Sequence, residues 1–183
     1  MGIKLTKETC SLSIEKLKTL KSNLELKNSN LNFIVTDKVI SKYHDSFIQC
    51  HDEVRRFLIE SFNEPISEVT IDMLIQIEKD EFFLKKVFAL IISNNQVLGF
   101  QEVTIEGLKS VTLETMYLSK ELRGKSLGKW LISAALINCI EKMEGLKLIE
   151  TNVNEQNIPI LKTLKPFGFY AKTSIDQLIK NIK

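Results

Sequence analysis

Hydrophobic and polar residues follow two different periods along this chain, and the changes between them predict where strands and helices lie. Residues 87–105 form two apolar runs around Asn94 and Asn95, which predicts a β-hairpin. Residues 111–118 predict another strand, and the residues from 127 to 143 carry a broad apolar stripe at helical spacing. Residues 146–153 predict a further strand, which is followed by a short helix. This part of the chain therefore predicts strands interleaved with helices.

The flanking segments extend this pattern in both directions. Residues 31–37 predict the first strand, residues 38–62 a helix with a break near His51 and Asp52, and residues 67–86 a second helical stretch. A final strand is expected near residues 169–173. Residues 13–27 have apolar residues at rough helical spacing behind a possible cap, Ser13. We therefore divide the chain into an N-terminal extension at 1–30, mainly helical, and one domain at 31–183.

Composition and charge exclude several functional classes. The chain has 183 residues and a net charge of +2, which does not support the dominant basic surface of a nucleic-acid-binding protein. No apolar run approaches the roughly 20 residues that span a bilayer, and the N-terminus has no apolar signal region. Three cysteines without a Cys-x-x-Cys pair fit a reducing compartment. We expect a cytoplasmic protein with no nucleic-acid or membrane partner.

The turn between the strand at 111–118 and the long helix is the most informative segment. It holds glycines and basic residues in close succession: Arg123, Gly124, Lys125, Ser126, Gly128 and Lys129. Free backbone N–H groups at a helix N-terminus beside basic side chains suit a pyrophosphate. The turn is not a P-loop, because Ser119 stands where that motif has its first glycine. It also lacks the three glycines of the dinucleotide-binding fingerprint.

The hexapeptide from Arg123 to Gly128 resembles motif A of the GNAT acetyltransferase superfamily, which reads R/Q-x-x-G-x-G/A at the start of a long helix. Ser126 stands where that family usually carries a glycine. A second segment strengthens the resemblance. Asn157 follows a strand and precedes a short helix with Pro159 in its first turn, and Gly168-Phe169 follows at the usual distance.

The resemblance implies a fold, a cofactor and an activity. The implied fold is α/β (α+β), with a mixed, mostly antiparallel central sheet flanked by helices and splayed between the fourth strand (111–118) and the fifth (146–153). The implied cofactor is acetyl-CoA. The implied activity is N-acetyl transfer to a primary amine of a small molecule or peptide by direct attack. The residues implied to bind the cofactor are Met116, Tyr117, Leu118, Arg123, Gly124, Lys125, Ser126, Leu127, Gly128, Lys129 and Asn157.

Such a reaction needs a base for the amine and a donor for the developing oxyanion. The resemblance implies that the backbone N–H of Leu118 is the donor. Glu114 is our candidate base, because it lies four positions earlier and strand alternation predicts that both side chains share a face. Glu150 on the neighbouring strand is the alternative base.

The general acid is where the sequence departs from the family. Many members carry a tyrosine four residues before the glycine of the short helix, and here that residue is Leu164. Tyr117 and Tyr170 are candidate replacements, or the thiolate leaves unaided. Leu164 also keeps a second function open, a CoA-binding sensor or scaffold without turnover.

Metal binding and assembly complete the sequence-based expectations. His44 and His51 lie seven positions apart, whereas a zinc pair on a helix usually has i, i+4 spacing and a third ligand. We therefore expect both on the surface and no metal site. The sequence leaves monomer and homodimer open.

Overall fold

One mixed sheet of seven strands organises the chain, described here by a computed structural model over residues 2–9, 12–63, 67–79 and 85–171. The strands are β1 (Gly2–Glu8), β2 (Asn32–Thr36), β3 (Lys86–Ser93), β4 (Gln96–Glu106), β5 (Ser110–Leu118), β6 (Leu148–Asn154) and β7 (Tyr170–Ala171). Their order in the sheet is β2-β3-β4-β5-β6-β1-β7. All neighbours are antiparallel except β5 and β6. The predicted mixed, mostly antiparallel sheet is confirmed.

Five α-helices flank the sheet within the described ranges: α1 (Ile14–Lys27), α2 (His44–Phe62), α3 (Ile71–Lys79), α4 (Leu127–Lys142) and α5 (Ile158–Leu164). Helices α1 and α4 contact each other, and α4 covers one face of β3 and β4, whereas α2 covers the opposite face of β4 and β5. In the part of the chain that the structure describes, no helix has the length and apolar character needed to cross a membrane.

Strands β5 and β6 pair over only part of their length. Their parallel ladder runs from Ser110 opposite Leu148 to Leu113 opposite Thr151, and β5 then continues to Leu118. The last five residues of β5 therefore have no ladder partner on the β6 side. This confirms the splay between the strands predicted as fourth and fifth.

A β-bulge lies in β5 where the two strands begin to separate. Val103 of β4 pairs with Leu113, but Gln101 pairs with Met116, so two steps on β4 oppose three on β5. Leu113 and Met116 consequently both pack on the α1–α4 core, while Tyr117 packs in the core under α2. Glu114 lies on the α2 side, because Thr104 and Glu102 there interact with its carboxyl group. The prediction that Glu114 and Leu118 share a face is wrong, since simple alternation does not count the inserted residue.

Two apolar cores lie on the two sides of the sheet. The larger contains fully buried Trp130 and Leu131 of α4 against Val103 and Val111. Trp130 packs on Phe33 with ring centroids 4.6 Å apart, and its indole N–H donates to Glu25 Oε1 at 3.0 Å. Each fully buried large side chain contributes about 1.5–3 kcal/mol of transfer free energy. The cores therefore hold β5 and α4, and with them the turn between these elements, in a fixed relation.

The first strand was not predicted. β1 pairs antiparallel with β6 along its whole length, from Gly2 opposite Asn154 to Glu8 opposite Leu148. Helix α1 lies where the apolar spacing predicted it, and the Ser13 side chain accepts a hydrogen bond from the Lys16 N–H at 3.3 Å. The described residues between 2 and 30 thus form a strand as well as a helix. The division of the chain at residue 30 stays a prediction.

Other predicted elements are confirmed or corrected in detail. The β3–β4 hairpin turns at Asn94 and Asn95, whose φ angles of 50° and 60° are those of the left-handed residues that such turns require. The predicted break near His51 is wrong, because α2 is continuous and His51 stacks on Phe100 with ring centroids 5.9 Å apart. His44 and His51 are buried, which corrects their predicted surface position. The helix predicted over 67–86 is confirmed at α3, residues 80–84 lie outside the described residues, and Lys86 begins β3.

Candidate functional site

A cleft of about 1460 Å³ opens where β5 and β6 separate. One wall is a face of α2, and the opposite wall is formed by the end of β6 and by α5. The turn between β5 and α4, residues 119–126, closes one end and is called the elbow below. The cleft therefore passes through the gap in the sheet and reaches both its faces.

The end of β5 presents backbone groups to this gap. The Ser119 N–H donates to the Leu98 carbonyl at 2.8 Å, so the pair Ser119–Leu98 is a hydrogen-bonded pair of the ladder. Hydrogen-bonded and non-hydrogen-bonded pairs alternate along an antiparallel ladder. The N–H and C=O groups of Leu118 and Met116 therefore turn away from β4 and toward the cleft. The Leu118 carbonyl accepts a hydrogen bond from Arg123 Nε at 3.0 Å.

The elbow depends on two left-handed residues. Gly124 has φ +78°, and a Cβ built there meets no atom within 4 Å, so the backbone angle rather than space favours glycine. Ser126 is the N-cap residue of α4 with φ 61°, a conformation that is strained for a serine, and its side chain forms no cap hydrogen bond. The first turn of α4 holds no acidic residue. The Lys129 N–H donates to the Ser126 carbonyl at 3.0 Å, and the other amides at this positive helix end are left for an anion from outside.

Close packing, rather than the backbone angle, favours glycine at position 128. A Cβ at this position would lie 3.2 Å from Thr163 Cγ2 of α5 and 3.8 Å from Met116 Cε. The glycine lets α4, α5 and the end of β5 approach closely beside the elbow. Of the predicted cofactor-binding residues, all line the cleft except Lys125, whose side chain is exposed outside it.

Charges divide along the cleft. The end formed by the elbow and α5 carries the basic residues Lys120, Arg123, Lys129 and Lys162, with one acid, Glu121. Hydrogen bonds to its carboxylate hold the pKa of Glu121 below its usual value, and the charges of Lys125 and Arg123 lower it further. The end beside α2 and the bulge carries the acids Glu53, Glu60 and Glu114, with one base, Arg56. This separation suits an anionic group at one end and a cationic group at the other.

Glu114 projects into the cleft from the bulge. The residue as a whole is exposed, yet its carboxyl group is partly withdrawn from solvent, and this desolvation raises its pKa. Glu102 and Glu106 raise the pKa further, whereas a hydrogen bond with Thr104 and the charge of Lys86 oppose the rise. Lys86 forms an ion pair with Glu102. Such an environment moves a carboxyl group toward the role of a base near neutral pH.

Tyr117 lies on the same side of β5 as Glu114. Its hydroxyl donates to Glu53 Oε2 of α2 at 2.8 Å, and burial together with this hydrogen bond raises its pKa. The neighbouring Cys50 thiol is buried and donates to the Val97 carbonyl at 3.2 Å, and burial raises its pKa to about 12. Cys50 is thus an unreactive thiol, and the tyrosine proton is directed at Glu53.

The other candidates lie elsewhere. Glu150 does not line the cleft, and its Oε2 forms an ion pair with Lys4 Nζ at 2.8 Å. Tyr170, on β7, is 51% exposed and is also outside the cleft lining. Leu164 lines the cleft but belongs to the core. Asn157 is the N-cap residue of α5 without a side-chain cap bond, so its amide is available to the cleft. Among the residues that the structure describes, no group of three or more His, Cys, Asp or Glu is placed to hold a metal ion.

The family resemblance implies that the first helices form the acceptor wall, with acids such as Glu60 to attract a cationic amine, but Glu53 and the other cleft residues of α2 were not predicted. Most of the cleft-lining residues of this helix recur at three- and four-residue spacing, which marks one helical face: Ser46, Gln49, Cys50, Glu53, Arg56, Phe57 and Glu60. Val54 and Leu58 also line the cleft. The mixture of polar and apolar residues on that face could be recognised from the sequence, but nothing in the sequence showed that the face lies against β5.

Comparisons with known proteins agree with this geometry. The model of the acetyltransferase (GNAT) family matches residues 49–169, which is more than half of the chain. A search of curated protein sequences finds no match. Among solved structures, a tandem GNAT protein from the clavulanic acid biosynthesis pathway has a TM-score of 0.64 and 14% identity, over 93% of this chain and 50% of that chain. The present chain thus spans half of that protein.

Two shorter structures are covered more completely. A GNAT-family acetyltransferase from Staphylococcus aureus has a TM-score of 0.61 and 20% identity, over 80% of this chain and 87% of that chain. An aminoglycoside N-acetyltransferase in complex with CoA has a TM-score of 0.54 and 12% identity, over 78% of this chain and 94% of that chain. At these identities the likeness concerns the fold. The family match and the shared fold together show that this chain belongs to the acetyltransferase (GNAT) family.

Proposed function

We propose that the protein is an acetyl-CoA-dependent N-acetyltransferase that moves an acetyl group to a primary amine by direct attack. The observation that carries this proposal is the position of Glu114. It stands at a bulge beside the splayed end of β5, on the edge of a cleft whose other end is an amide-lined elbow.

The residues present fit the cofactor. The amides of the elbow and the basic side chains around it suit a pyrophosphate, and the turned-out backbone groups of Met116 and Leu118 suit a pantetheine arm lying as an extra strand. When bound, acetyl-CoA supplies the activated acetyl thioester. The Leu118 N–H is the proposed donor to the acyl oxygen. A preorganised backbone donor of this kind is typically worth about 2.7–4 kcal/mol.

Glu114 is the proposed base. A free alkylammonium has a pKa of about 10.4 and must lose a proton before it attacks a carbonyl carbon. The raised pKa of the Glu114 carboxyl brings it closer to that of the amine and strengthens it as a base. Glu150 has less support, because Lys4 neutralises it outside the cleft.

No residue is assigned as the acid. Leu164 cannot donate a proton, Tyr170 is outside the cleft, and the Tyr117 proton is held by Glu53. A thiol has a pKa of about 8.5, so we propose that the leaving thiolate takes its proton from water.

The acceptor is proposed to be a small molecule or a peptide amine. Aminoglycoside acetyltransferases among the structures of similar fold support an amine acceptor of this general kind. Cytoplasmic location, and a monomeric or homodimeric state, stay proposals.

A thiol-release assay with a panel of primary amines tests this function. We expect turnover in the wild-type protein and a loss of about 10²–10⁴-fold in Glu114→Gln, with CoA binding unchanged. Glu144→Gln makes the same charge change on an exposed residue away from the cleft and should keep wild-type activity. Tight acetyl-CoA binding without turnover of any amine would contradict the proposal and favour the sensor or scaffold.

A further inference from the structure

One carboxylate on the wall of the cleft is held in position by a hydroxyl group rather than by an ion pair. Glu53 lies exposed on α2, lines the cleft, and accepts a hydrogen bond on Oε2 from the Tyr117 hydroxyl at 2.8 Å. Among the described residues, no lysine or arginine forms an ion pair with Glu53. Its negative charge is therefore oriented without an ion pair, although the charge of Arg123 reaches the Tyr117 hydroxyl.

The tyrosine leaves half of this carboxylate for a ligand. A neutral hydroxyl occupies Oε2, which leaves the lone pairs of the second oxygen, Oε1, for another donor. The strong partner for such a group is a charged N–H donor, because charge-assisted hydrogen bonds are about twice as strong as neutral ones. The raised pKa of Tyr117 keeps its hydroxyl protonated, so the orientation of Glu53 persists through the neutral range.

Glu53 and Glu114 lie on the same side of the sheet. Glu53 of α2 meets β5 at Tyr117, whereas Glu114 lies earlier on β5. Tyr117, which holds Glu53, follows Glu114 by three residues, or roughly 7–10 Å along a bulged strand. The two carboxylates thus reach the cleft from different elements, Glu53 from α2 and Glu114 from the bulge of β5. They suit two positive groups of one molecule.

We propose that Glu53 determines acceptor specificity and that the acceptor carries two cationic groups, as a diamine does. The reacting amine faces Glu114 while a second ammonium binds Glu53. Glu60 lies two helical turns further along the same face of α2 and extends the negative surface for a longer polyamine. This inference rests on the proposed amine acetylation and names its substrate class.

The test compares three acceptors of equal chain length that differ in charge at the far end: 1,6-diaminohexane, 6-amino-1-hexanol and 6-aminohexanoate. In the wild-type protein we expect kcat/KM to fall in that order. Glu53→Gln should lower kcat/KM for the diamine about tenfold, mainly through KM, and leave the amino alcohol nearly unchanged. Glu144→Gln, a matched charge change outside the cleft, should preserve the order.

Tyr117→Phe keeps the ring and removes only the hydroxyl. We expect the same loss of diamine preference in a milder form, because Glu53 remains but is no longer oriented. A wild-type preference that survives Glu53→Gln would overturn the inference while leaving the proposed acetylation intact.

Calorimetry separates this inference from the function on which it rests. 1,6-Diaminohexane is titrated into the protein saturated with CoA. Binding that is weakened by Glu53→Gln supports the recognition even if no amine is acetylated. Equal binding by both proteins, or no binding by either, overturns it.

Discussion

Glu114 and Tyr117 point to the same side of β5 although three positions separate them, because the strand bulges between them. The bulge turns the Glu114 carboxyl toward α2, where Tyr117 meets Glu53. The proposed base and the proposed specificity residue thus share one side of the sheet, while Met116 and Leu118 pack on the other.

The raised pKa of Glu114 predicts the pH dependence of activity. A base acts when it is ionised, so kcat/KM should rise with pH through a value above the usual pKa of a glutamate, about 4.3. A pH–rate profile at saturating acetyl-CoA measures the apparent pKa of this rise. An apparent pKa at or below that of an ordinary glutamate would contradict the assigned role.

The same shift predicts an effect on stability. A carboxyl group with a raised pKa in the folded state stabilises the fold when it is protonated, and this contribution is lost as pH rises through that pKa. Glu114→Gln should therefore raise Tm at pH 8 relative to the wild type, and the difference should disappear below the unfolded pKa of about 4.3. Thermal melts at both pH values measure this.

Lys86 and Glu102 should tune Glu114 in opposite directions. Lys86→Met leaves Glu102 without its cation and should raise the pKa of Glu114, so that kcat/KM rises at higher pH. Glu102→Gln should lower this pKa and move the rise to lower pH. The double variant should fall between the two. NMR titration of the Glu114 carboxyl reads this shift in the free protein without relying on turnover. Shifts of the same sign in both single variants would refute the coupling.

Ser126 should be replaceable by glycine with a gain in stability. A left-handed serine costs about 1–2 kcal/mol, and glycine removes most of that penalty. Ser126→Gly should raise the free energy of unfolding by about 0.5–1 kcal/mol in urea titrations, and Ser126→Val should lower it. Loss of stability in Ser126→Gly would show that the serine hydroxyl matters more than the backbone angle.

Lys4 should stabilise the sheet through Glu150. The Glu150 carboxylate is nearly buried, so Lys4→Met leaves it without its partner and should cost about 1–3 kcal/mol in the free energy of unfolding. The double variant Lys4→Met with Glu150→Gln should recover part of the loss. Urea titration of the four proteins gives the coupling energy, and a value near zero would assign the pair no role.

Most of the fold follows from local patterns in the sequence. The Asn94–Asn95 turn, the apolar stripe of α4 and the glycines around the elbow each act over a few residues, and their elements were predicted correctly. β1 was missed because its buried residues, Leu5 and Thr6, are flanked by exposed polar positions, and its partner β6 lies far along the chain.

The candidate site was only half predictable for the same reason. The elbow is one continuous segment, so its residues could be read in order. The acceptor side brings together α2 and β5 through a hydrogen bond between residues 64 positions apart, Glu53 and Tyr117. The bulge that orients Glu114 depends on pairing with β4 and leaves no mark in the alternation of β5.

Calorimetric titration of CoA into the wild-type protein and into Gly124→Val and Gly128→Leu tests the central claim most directly. Gly107→Val is the matched control, because Gly107 is also left-handed with open space around its Cβ but lies outside the cleft. We predict that the wild type and Gly107→Val bind CoA alike, while Gly124→Val and Gly128→Leu bind at least about tenfold more weakly. A wild-type protein that fails to bind CoA, or Gly124→Val and Gly128→Leu proteins that bind it as well as Gly107→Val, would contradict the account.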